Sequence, residues 1–396
     1  MAAMGLPAEY EGREQTWLKH QVLRHYLRAW AQKMGSLARY GPVTLWYVDC
    51  FAGPWEAQSG DLADTSVAIG LDALREAQER WKDAPHGCST GAIFVEKGAA
   101  AFNRLETFLA TSSGTVKARA FRGEFGDHIE AIKGQLGADP AFLFVDPTGW
   151  KGAAMRFIAP LSRPEKRDVL VNVMIHHMLR FKDDRRTFLR DQMREFFGLK
   201  DSDLPVGLSE EKLIKYYRRR LGESCGLKYV ADLIVPDPTS DKTRFRLVLG
   251  THHSEGLRLF RESEYRVLGK DAAPVRQDAK NRKQFVSTGG QGVLFAPEAP
   301  SLEARYASLR AEGLETLRAE LPGYLKSRGQ VKYQDLWPDL LLQFHVAEGD
   351  LRNLLVKMKR EGKLETLGAA PGDRGIKDEH RIQLTSACAQ LQRRSS

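Results

Sequence analysis

Two short stretches of this sequence decide its fold: VDCFAGP at residues 48–54 and FVDPTG at residues 144–149. Each begins as the end of a short apolar run rich in β-branched and aromatic residues, which is typical of a buried parallel strand. In each stretch the chain then turns at an aspartate, and a glycine or proline follows within a few residues. Ligands of open α/β sheets bind at the carboxyl ends of the strands. Asp49 and Asp146 are therefore the first candidates for a binding site.

Strands alternate with helices around these two stretches. The predicted strands are residues 43–48, 92–95, 116–121, 141–145 and 168–174, and the predicted helices are residues 17–30, 66–81, 100–109, 128–136, 155–161 and 256–268. Such alternation indicates βαβ units and a parallel sheet. Two further β-rich runs, 228–235 and 243–249, suit the antiparallel strand pair that closes many class I methyltransferase sheets. We therefore predict an α/β, Rossmann-like class I methyltransferase sheet.

The domain organisation follows from these elements. We predict an N-terminal helical segment at 1–42, a Rossmann-like domain at 43–270 with a charged helical insertion at about 182–221, a mobile basic linker at 271–300, and a winged-helix-like domain at 301–390. The last assignment depends on the order of its patterns. Two amphipathic helices near 333–344 and 348–361 precede a β-hairpin formed by residues 363–367 and 381–384.

The charge balance indicates a polyanionic partner. The chain of 396 residues has 60 Lys and Arg against 51 Asp and Glu, a net charge of +9. Such a surplus suits nucleic acid, although a merely basic globular protein is the alternative. The residues predicted to contact nucleic acid are Arg218, Arg219 and Arg220 in the insertion, and Arg276, Lys280, Arg282 and Lys283 in the linker.

Cysteine and histidine usage gives no sign of a metal site. The four cysteines, Cys50, Cys88, Cys225 and Cys388, are scattered without a CxxC pair, which argues against a zinc site or a disulfide framework and indicates a reducing compartment. The pairs at 176–177 and 252–253 are adjacent histidines at predicted strand ends, where the two rings point to opposite faces. We expect polar contacts at the rim from them. With neither a membrane-spanning run nor a signal peptide visible, a cytoplasmic location is expected.

Acidic and small residues after the strands suit a nucleoside ligand. Asp49 can engage a charged or hydroxylated group, Gly53 lets the backbone approach a ligand, and Phe51 lies between them. Glu96 ends the second strand, where a carboxylate can accept hydrogen bonds from both ribose hydroxyls. Glu124 follows the third strand and could accept from an adenine amino group. S-adenosylmethionine is the cofactor this set predicts, and ordinary solvated turns are the alternative.

Residues 146–150, DPTGW, resemble the Asp-Pro-Pro-Tyr motif of methyltransferases that act on amino groups of DNA and RNA. In those enzymes the acid and a main-chain carbonyl accept hydrogen bonds from the target amine, and the aromatic ring stacks on an extruded base. The resemblance implies catalytic roles for Asp146 and Pro147. Thr148 replaces the second proline, Gly149 occupies the aromatic position, and Trp150 is the candidate ring one place later. A turn that serves ligand binding or folding only is the alternative.

The ordered set of motifs over most of the chain resembles the three-Cys-motif partner proteins (TcmP). The stretches that carry the resemblance are LKHQVL at 18–23, YVDCFAGP at 47–54, FVEK at 94–97, FVDPTGWKG at 144–152, VNVM at 171–174 and LGTHHSEGL at 249–257. Cys50 departs from the small residue of many relatives. The resemblance implies a separate partner that bears three cysteines and looks like a radical S-adenosylmethionine enzyme. It bears more on fold and partner than on a reaction.

Two functions follow as hypotheses. The first is an S-adenosylmethionine-dependent methyltransferase that acts on an amino group of nucleic acid. The second is a catalytically inactive, nucleic-acid-binding accessory protein that works with the three-Cys-motif partner enzyme. The altered motif at residues 146–150 favours the second hypothesis, because a fold alone does not determine an activity. A nuclease ranks last, since the sequence has no clear cluster of carboxylates.

Overall fold

The fold is described from a computed structural model, which covers residues 6–53, 64–181, 184, 186–199, 204–205, 207–240, 242–287, 302–370 and 375–386. Three features singled out in the sequence lie outside these ranges, namely Pro54, Cys388 and residues 288–300 of the predicted linker.

A seven-stranded sheet forms the centre of the molecule. Its strands are β1 (Val43–Asp49), β2 (Cys88–Glu96), β3 (Lys117–Arg122), β4 (Ala141–Val145), β5 (Arg167–Val173), β6 (Tyr229–Pro236) and β7 (Thr243–Thr251). They are ordered β3-β2-β1-β4-β5-β7-β6, with β1 to β5 parallel and β7 antiparallel to both of its neighbours. This is the strand order of a Rossmann-like class I methyltransferase sheet, and the predicted fold class is confirmed.

Helices cover both faces of the sheet. They are α1 (Glu14–Gly35), α2 (Ser66–Arg80), α3 (Ala99–Ser112), α4 (Ile129–Leu136), α5 (Met155–Ser162), α6 (Ile175–Phe181), α7 (Thr187–Phe197), α8 (Glu210–Cys225), α9 (Ser254–Arg266) and α10 (Ala272–Ser287). Alternate residues of β1 enter different cores, because successive strand side chains point to opposite faces. Tyr47 belongs to the core that includes residues of α1, α2 and α9, whereas Val48 belongs to the core that includes residues of α4, α5 and α8.

Two predicted features differ from the structure. The fifth strand ends at Val173 and α6 begins at Ile175, so His176 and His177 are exposed helical residues and not strand-end residues. Residues 272–287 of the predicted linker form α10, joined to α9 by a single π-helical turn at Val267–Asp271. Small apolar side chains on one face of α10 are buried against α1. Their helical spacing is difficult to recognise in the sequence because many charged residues surround them.

The C-terminal residues form a second, smaller sheet with three helices. In chain order they are α11 (Leu302–Arg328), β8 (Val331–Lys332), α12 (Tyr333–Gln343), α13 (Glu348–Arg360), β9 (Leu364–Leu367) and β10 (Arg381–Leu384). The strands pair antiparallel in the order β8-β10-β9. Helices followed by a hairpin agree with the predicted order, while the nucleic-acid-binding role of a winged helix stays a prediction. Arg261 Nε donates to the Leu341 carbonyl at 2.9 Å, which ties this unit to α9.

Within the described ranges, none of the helices combines the length and the apolar character that crossing a bilayer demands. The described cysteines, Cys50, Cys88 and Cys225, are buried free thiols. The described His, Cys, Asp and Glu side chains contain no group of three or more arranged to hold a metal ion.

Candidate functional site

A cleft of about 560 Å³ opens at the carboxyl ends of β1, β2 and β4. Its size lies within the range of roughly 300 to 1,000 Å³ that ligand pockets of proteins occupy. Among the residues predicted as a site, it brings together Phe51, Gly53, Glu96, Glu124 and Asp146. Four turns supply the lining: Cys50, Phe51 and Gly53 after β1; Val95–Ala101 and Arg104 after β2; Gly123, Glu124 and Phe125 after β3; and Asp146, Thr148, Lys151 and Gly152 after β4.

Glu96 lies at the rim of the cleft, where β2 ends. Its Oε1 accepts a hydrogen bond of 2.5 Å from the backbone N–H of Gly98. A Cβ atom at position 98 would lie 2.9 Å from that same oxygen, so any other residue would displace the carboxylate. Three alanines follow at the start of α3, and their short side chains leave the cleft open. The local sequence therefore fixes a carboxylate beside a space that a ligand can enter.

Asp49 lies behind the cleft and is absent from the residues that line it. Its fully buried carboxylate accepts hydrogen bonds from Ser66 Oγ at 2.6 Å, the Phe51 N–H at 3.2 Å and the Tyr47 hydroxyl at 3.3 Å. Burial raises the pKa of Asp49 to about 6, although these donors oppose the rise. The structure thus gives Asp49 a supporting role, because it holds the turn that presents Phe51 and Gly53.

Asp146 is held by two side chains that the sequence did not connect with it. Its Oδ2 forms an ion pair with Lys19 Nζ, and its Oδ1 accepts a 2.6 Å hydrogen bond from Asn172 Nδ2. Lys19 lies on α1 and is buried. A carboxylate has about four lone-pair sites, so Asp146 retains acceptor capacity. Asn172 could have been suspected, since it interrupts an apolar strand that neighbours β4.

The ring of Trp150 does not reach the cleft. It is buried in the core, with its centroid 6.2 Å from the ring of His177 and 6.0 Å from that of Phe181. Pro147 is buried as well, and neither residue lines the cleft. Gly149 has a φ of 98°, a left-handed conformation that favours glycine and disfavours an aromatic residue. The predicted stacking role of Trp150 is therefore corrected.

The three consecutive arginines of α8 do not form one basic surface. Arg218 donates to the Val230 carbonyl at 2.9 Å, to Asp232 at 3.0 Å and to the Leu342 carbonyl at 2.8 Å. Arg220 donates to two carbonyls at the end of α7 and to Glu223. Arg219 alone of the three is mainly exposed, and it lies 3.8 Å from Glu223. The structure therefore uses Arg218 and Arg220 to join helices and strands.

The four basic residues predicted in the linker lie on α10 and differ in exposure. Arg276 is buried, and Arg282 forms ion pairs with Glu14 and Glu11 near the start of α1. Lys280 is half-buried and already bonded, whereas Lys283 is exposed. The predicted mobile linker is corrected for residues 272–287, because they form a helix and the contacts of Arg282 fasten it to the start of α1.

No protein-family model matches the chain, and no curated protein resembles it in sequence. Solved structures with a related arrangement include a protein assigned as a caffeoyl-CoA O-methyltransferase from Staphylococcus aureus, with 10% identity, a TM-score of 0.29, and coverage of 53% of this chain and 76% of that one. Another is a loganic acid methyltransferase with SAH, with 10% identity, a TM-score of 0.30, and coverage of 72% of this chain and 92% of that one. The strand order above, and not these likenesses, supports the fold.

Proposed function

We propose that the cleft binds S-adenosylmethionine and that the chain is a methyltransferase-like protein acting on or binding nucleic acid. The observation that carries the proposal is the position of Glu96 at the end of β2. The N–H of Gly98 holds its carboxylate beside a cleft of suitable size. When bound, S-adenosylmethionine supplies an electrophilic methyl group on a sulfonium.

The residues of the cleft fit the parts of such a ligand. Glu96 accepts from ribose hydroxyls, the usual role of a carboxylate in nucleotide-binding α/β sheets. Phe51 and Phe125, with ring centroids 5.9 Å apart, offer an apolar wall to a purine. Glu124 begins the turn after β3 and serves as an acceptor for the adenine amino group.

Asp146 is the candidate for orienting a methyl acceptor. Lys19 and Asn172 fix the direction of its carboxylate, whose remaining lone pairs accept from an amino group of a nucleic-acid base. The chain contributes to methyl transfer by holding the methyl acceptor in position. Orientation of the reactants alone lowers the barrier of a bimolecular reaction substantially.

The exposed face of α13 supports a nucleic-acid partner. Asn353, Lys357 and Arg360 recur at spacings of four and three residues, so they lie on one side of the helix, and all three are exposed. Over the part of the chain that the structure describes, neither Lys357 nor Arg360 forms an ion pair. Unpaired cations on a helix that precedes a hairpin suit the phosphates of a duplex.

A second candidate is an accessory protein without catalytic activity. The buried ring of Trp150 favours it, because that ring is not open to a base as in the Asp-Pro-Pro-Tyr motif, and Lys19 and Asn172 already occupy part of the acceptor capacity of Asp146. In this role the chain delivers nucleic acid to a three-Cys-motif radical S-adenosylmethionine enzyme.

Calorimetry with S-adenosylmethionine tests the cleft. We expect the wild type to bind and Glu96→Ala to bind at least tenfold more weakly, while Glu130→Ala, at an exposed position of α4, binds like the wild type. Absence of binding at millimolar cofactor overturns the proposal. If the wild type binds cofactor and nucleic acid but transfers no methyl group, and copurifies with a three-Cys-motif enzyme, the accessory role is supported instead.

A further inference from the structure

Helix α6 begins beside the loop that follows β4. The Gly149 N–H donates to Met174 Sδ at 2.9 Å, and Asn172 holds Asp146 from the end of β5. Thr148 and Lys151 of the same loop line the cleft. The loop thus has the cleft on one side and α6 on the other.

An exposed imidazole on α6 is braced by two aromatic rings. The His177 ring packs edge-on against Trp150, at 6.2 Å and 64°, and against Phe181, at 5.8 Å and 84°. Trp150 and Phe181 also contact each other at 6.0 Å. Trp150 is buried behind the pair, whereas His177 is exposed. Edge-on packing orients the imidazole and leaves it accessible from solvent.

The surrounding surface combines rings with positive charge. Arg180, in the last turn of α6, is exposed. The Arg180 guanidinium lies 5.3 Å from the Phe181 ring, and the structure gives it no ion pair within the described ranges. Exposed rings among cations are what proteins present to single-stranded nucleic acid.

We infer that His177, with Arg180 and Phe181 on the same helix, forms a stacking surface for an unpaired nucleobase, a surface called here the α6 ring surface. The inference rests on the proposed function and names its acceptor as a base outside a duplex. Gly149 and the buried Trp150 leave the loop after β4 without an accessible ring. His177 supplies that ring from the next element, while Arg180 contacts the adjoining phosphate.

Fluorescence anisotropy with a labelled, mixed-sequence single-stranded 12-mer tests this surface. We expect His177→Ala to weaken binding by roughly 5- to 150-fold, the range that loss of one base–aromatic stack produces. His177→Phe restores binding, because a ring returns to the same position. His86→Ala, which removes an exposed histidine near the opposite edge of the sheet, leaves binding unchanged. Thermal unfolding of each variant verifies that the Trp150 core is intact.

Several results would overturn the inference. They are a wild type that binds no single strand, a His177→Ala variant that binds like the wild type, and a His177→Phe variant that folds yet stays weak. Calorimetry on the same samples separates the two claims. Weak binding by His177→Ala without any cofactor binding refutes the methyl-donor function but supports the α6 ring surface. If the cofactor binds normally and His177→Ala binds the single strand like the wild type, the methyl-donor function is supported and the α6 ring surface is refuted.

Discussion

The buried carboxylate of Asp49 makes the stability of the folded chain depend on pH. Burial raises its pKa to about 6, above the ordinary value of 3.8. The folded chain therefore retains a proton between about pH 4 and 6 that the unfolded chain has released, and the stability contributed by Asp49 falls as pH rises through that interval. This effect lowers the unfolding free energy of the wild type by about 2 to 3 kcal/mol between pH 4 and pH 7.5. We expect the Asp49→Asn variant to lack this decrease.

Urea unfolding at a series of pH values measures this difference. Asp83→Asn, which changes an exposed carboxylate, serves as the control and should follow the wild-type profile. Wild-type and Asp49→Asn profiles that stay parallel from pH 4 to 7.5 would contradict the assignment.

Lys19 and Asp146 are 127 positions apart in sequence and form one ion pair at the edge of the cleft. Their side chains are only 11% and 18% exposed, so water screens them poorly. A double-mutant cycle with Lys19→Met and Asp146→Asn should give a coupling free energy of about 1 to 3 kcal/mol in urea unfolding. The same cycle on the exposed pair Lys82 and Glu79 should give no measurable coupling. Equal coupling in the two cycles would mean that the cleft pair is solvated.

Helix α8 carries two adjacent arginines that differ in their contacts: Arg218 pairs with a buried acid, whereas Arg219 is mainly exposed. Arg218 and Arg246 flank the buried Asp232, and their charges outweigh the burial penalty and lower its pKa to about 2. Arg218→Ala leaves that carboxylate partly uncompensated and should cost about 3 to 5 kcal/mol of unfolding free energy. Arg219→Ala, one position along, should change it by no more than about 0.5 kcal/mol. The two variants are a matched pair for urea unfolding, and equal losses would contradict the contacts of Arg218.

The elements themselves were largely predictable from local pattern. Short apolar runs bounded by turns predicted all seven strands of the main sheet, because strands buried on both faces are continuously apolar. Helix α10 was missed because its buried positions are small residues among many charges, a composition typical of linkers. Residues 176 and 177 were assigned to a strand end because the apolar run of β5 continues through Met174 into α6 without a turn signal.

The candidate site was predictable only in part, and the reason is long-range contact. Glu96 and Asp146 follow strands, so the sheet topology alone brings them to one edge. The partnership of Lys19 with Asp146 depends on how α1 packs over the sheet, which helical periodicity does not specify. The buried ring of Trp150 depends in the same way on α6, a helix distant from it in sequence.

At the scale of the whole molecule, the surplus charge of +9 is distributed unevenly between internal contacts and exposed faces. Arg218 and Arg261 pair with buried acids and donate to carbonyls that join the sheet and α9 to the C-terminal helices, while Arg246 pairs with Asp232 on β6 and with Glu210 and Glu211 on α8. Lys357 and Arg360 on α13 have no such partner within the described ranges. Duplex binding should therefore depend on α13 more than on α8 or α10.

The double variant Lys357→Ala/Arg360→Ala tests this dependence through salt. Each phosphate contact adds about 0.9 to the slope of log K against log salt for a duplex, so losing two contacts should lower that slope by about 2. Arg318→Ala is the matched control, because that guanidinium pairs with Glu361 at 2.7 and 2.8 Å and should contribute little. A fall of about 1 for Arg318→Ala, half that of the double variant, would indicate that the duplex responds to net charge alone. An unchanged slope in the double variant would assign the duplex contacts to another face, since the positive charge removed from α13 would then have faced only solvent.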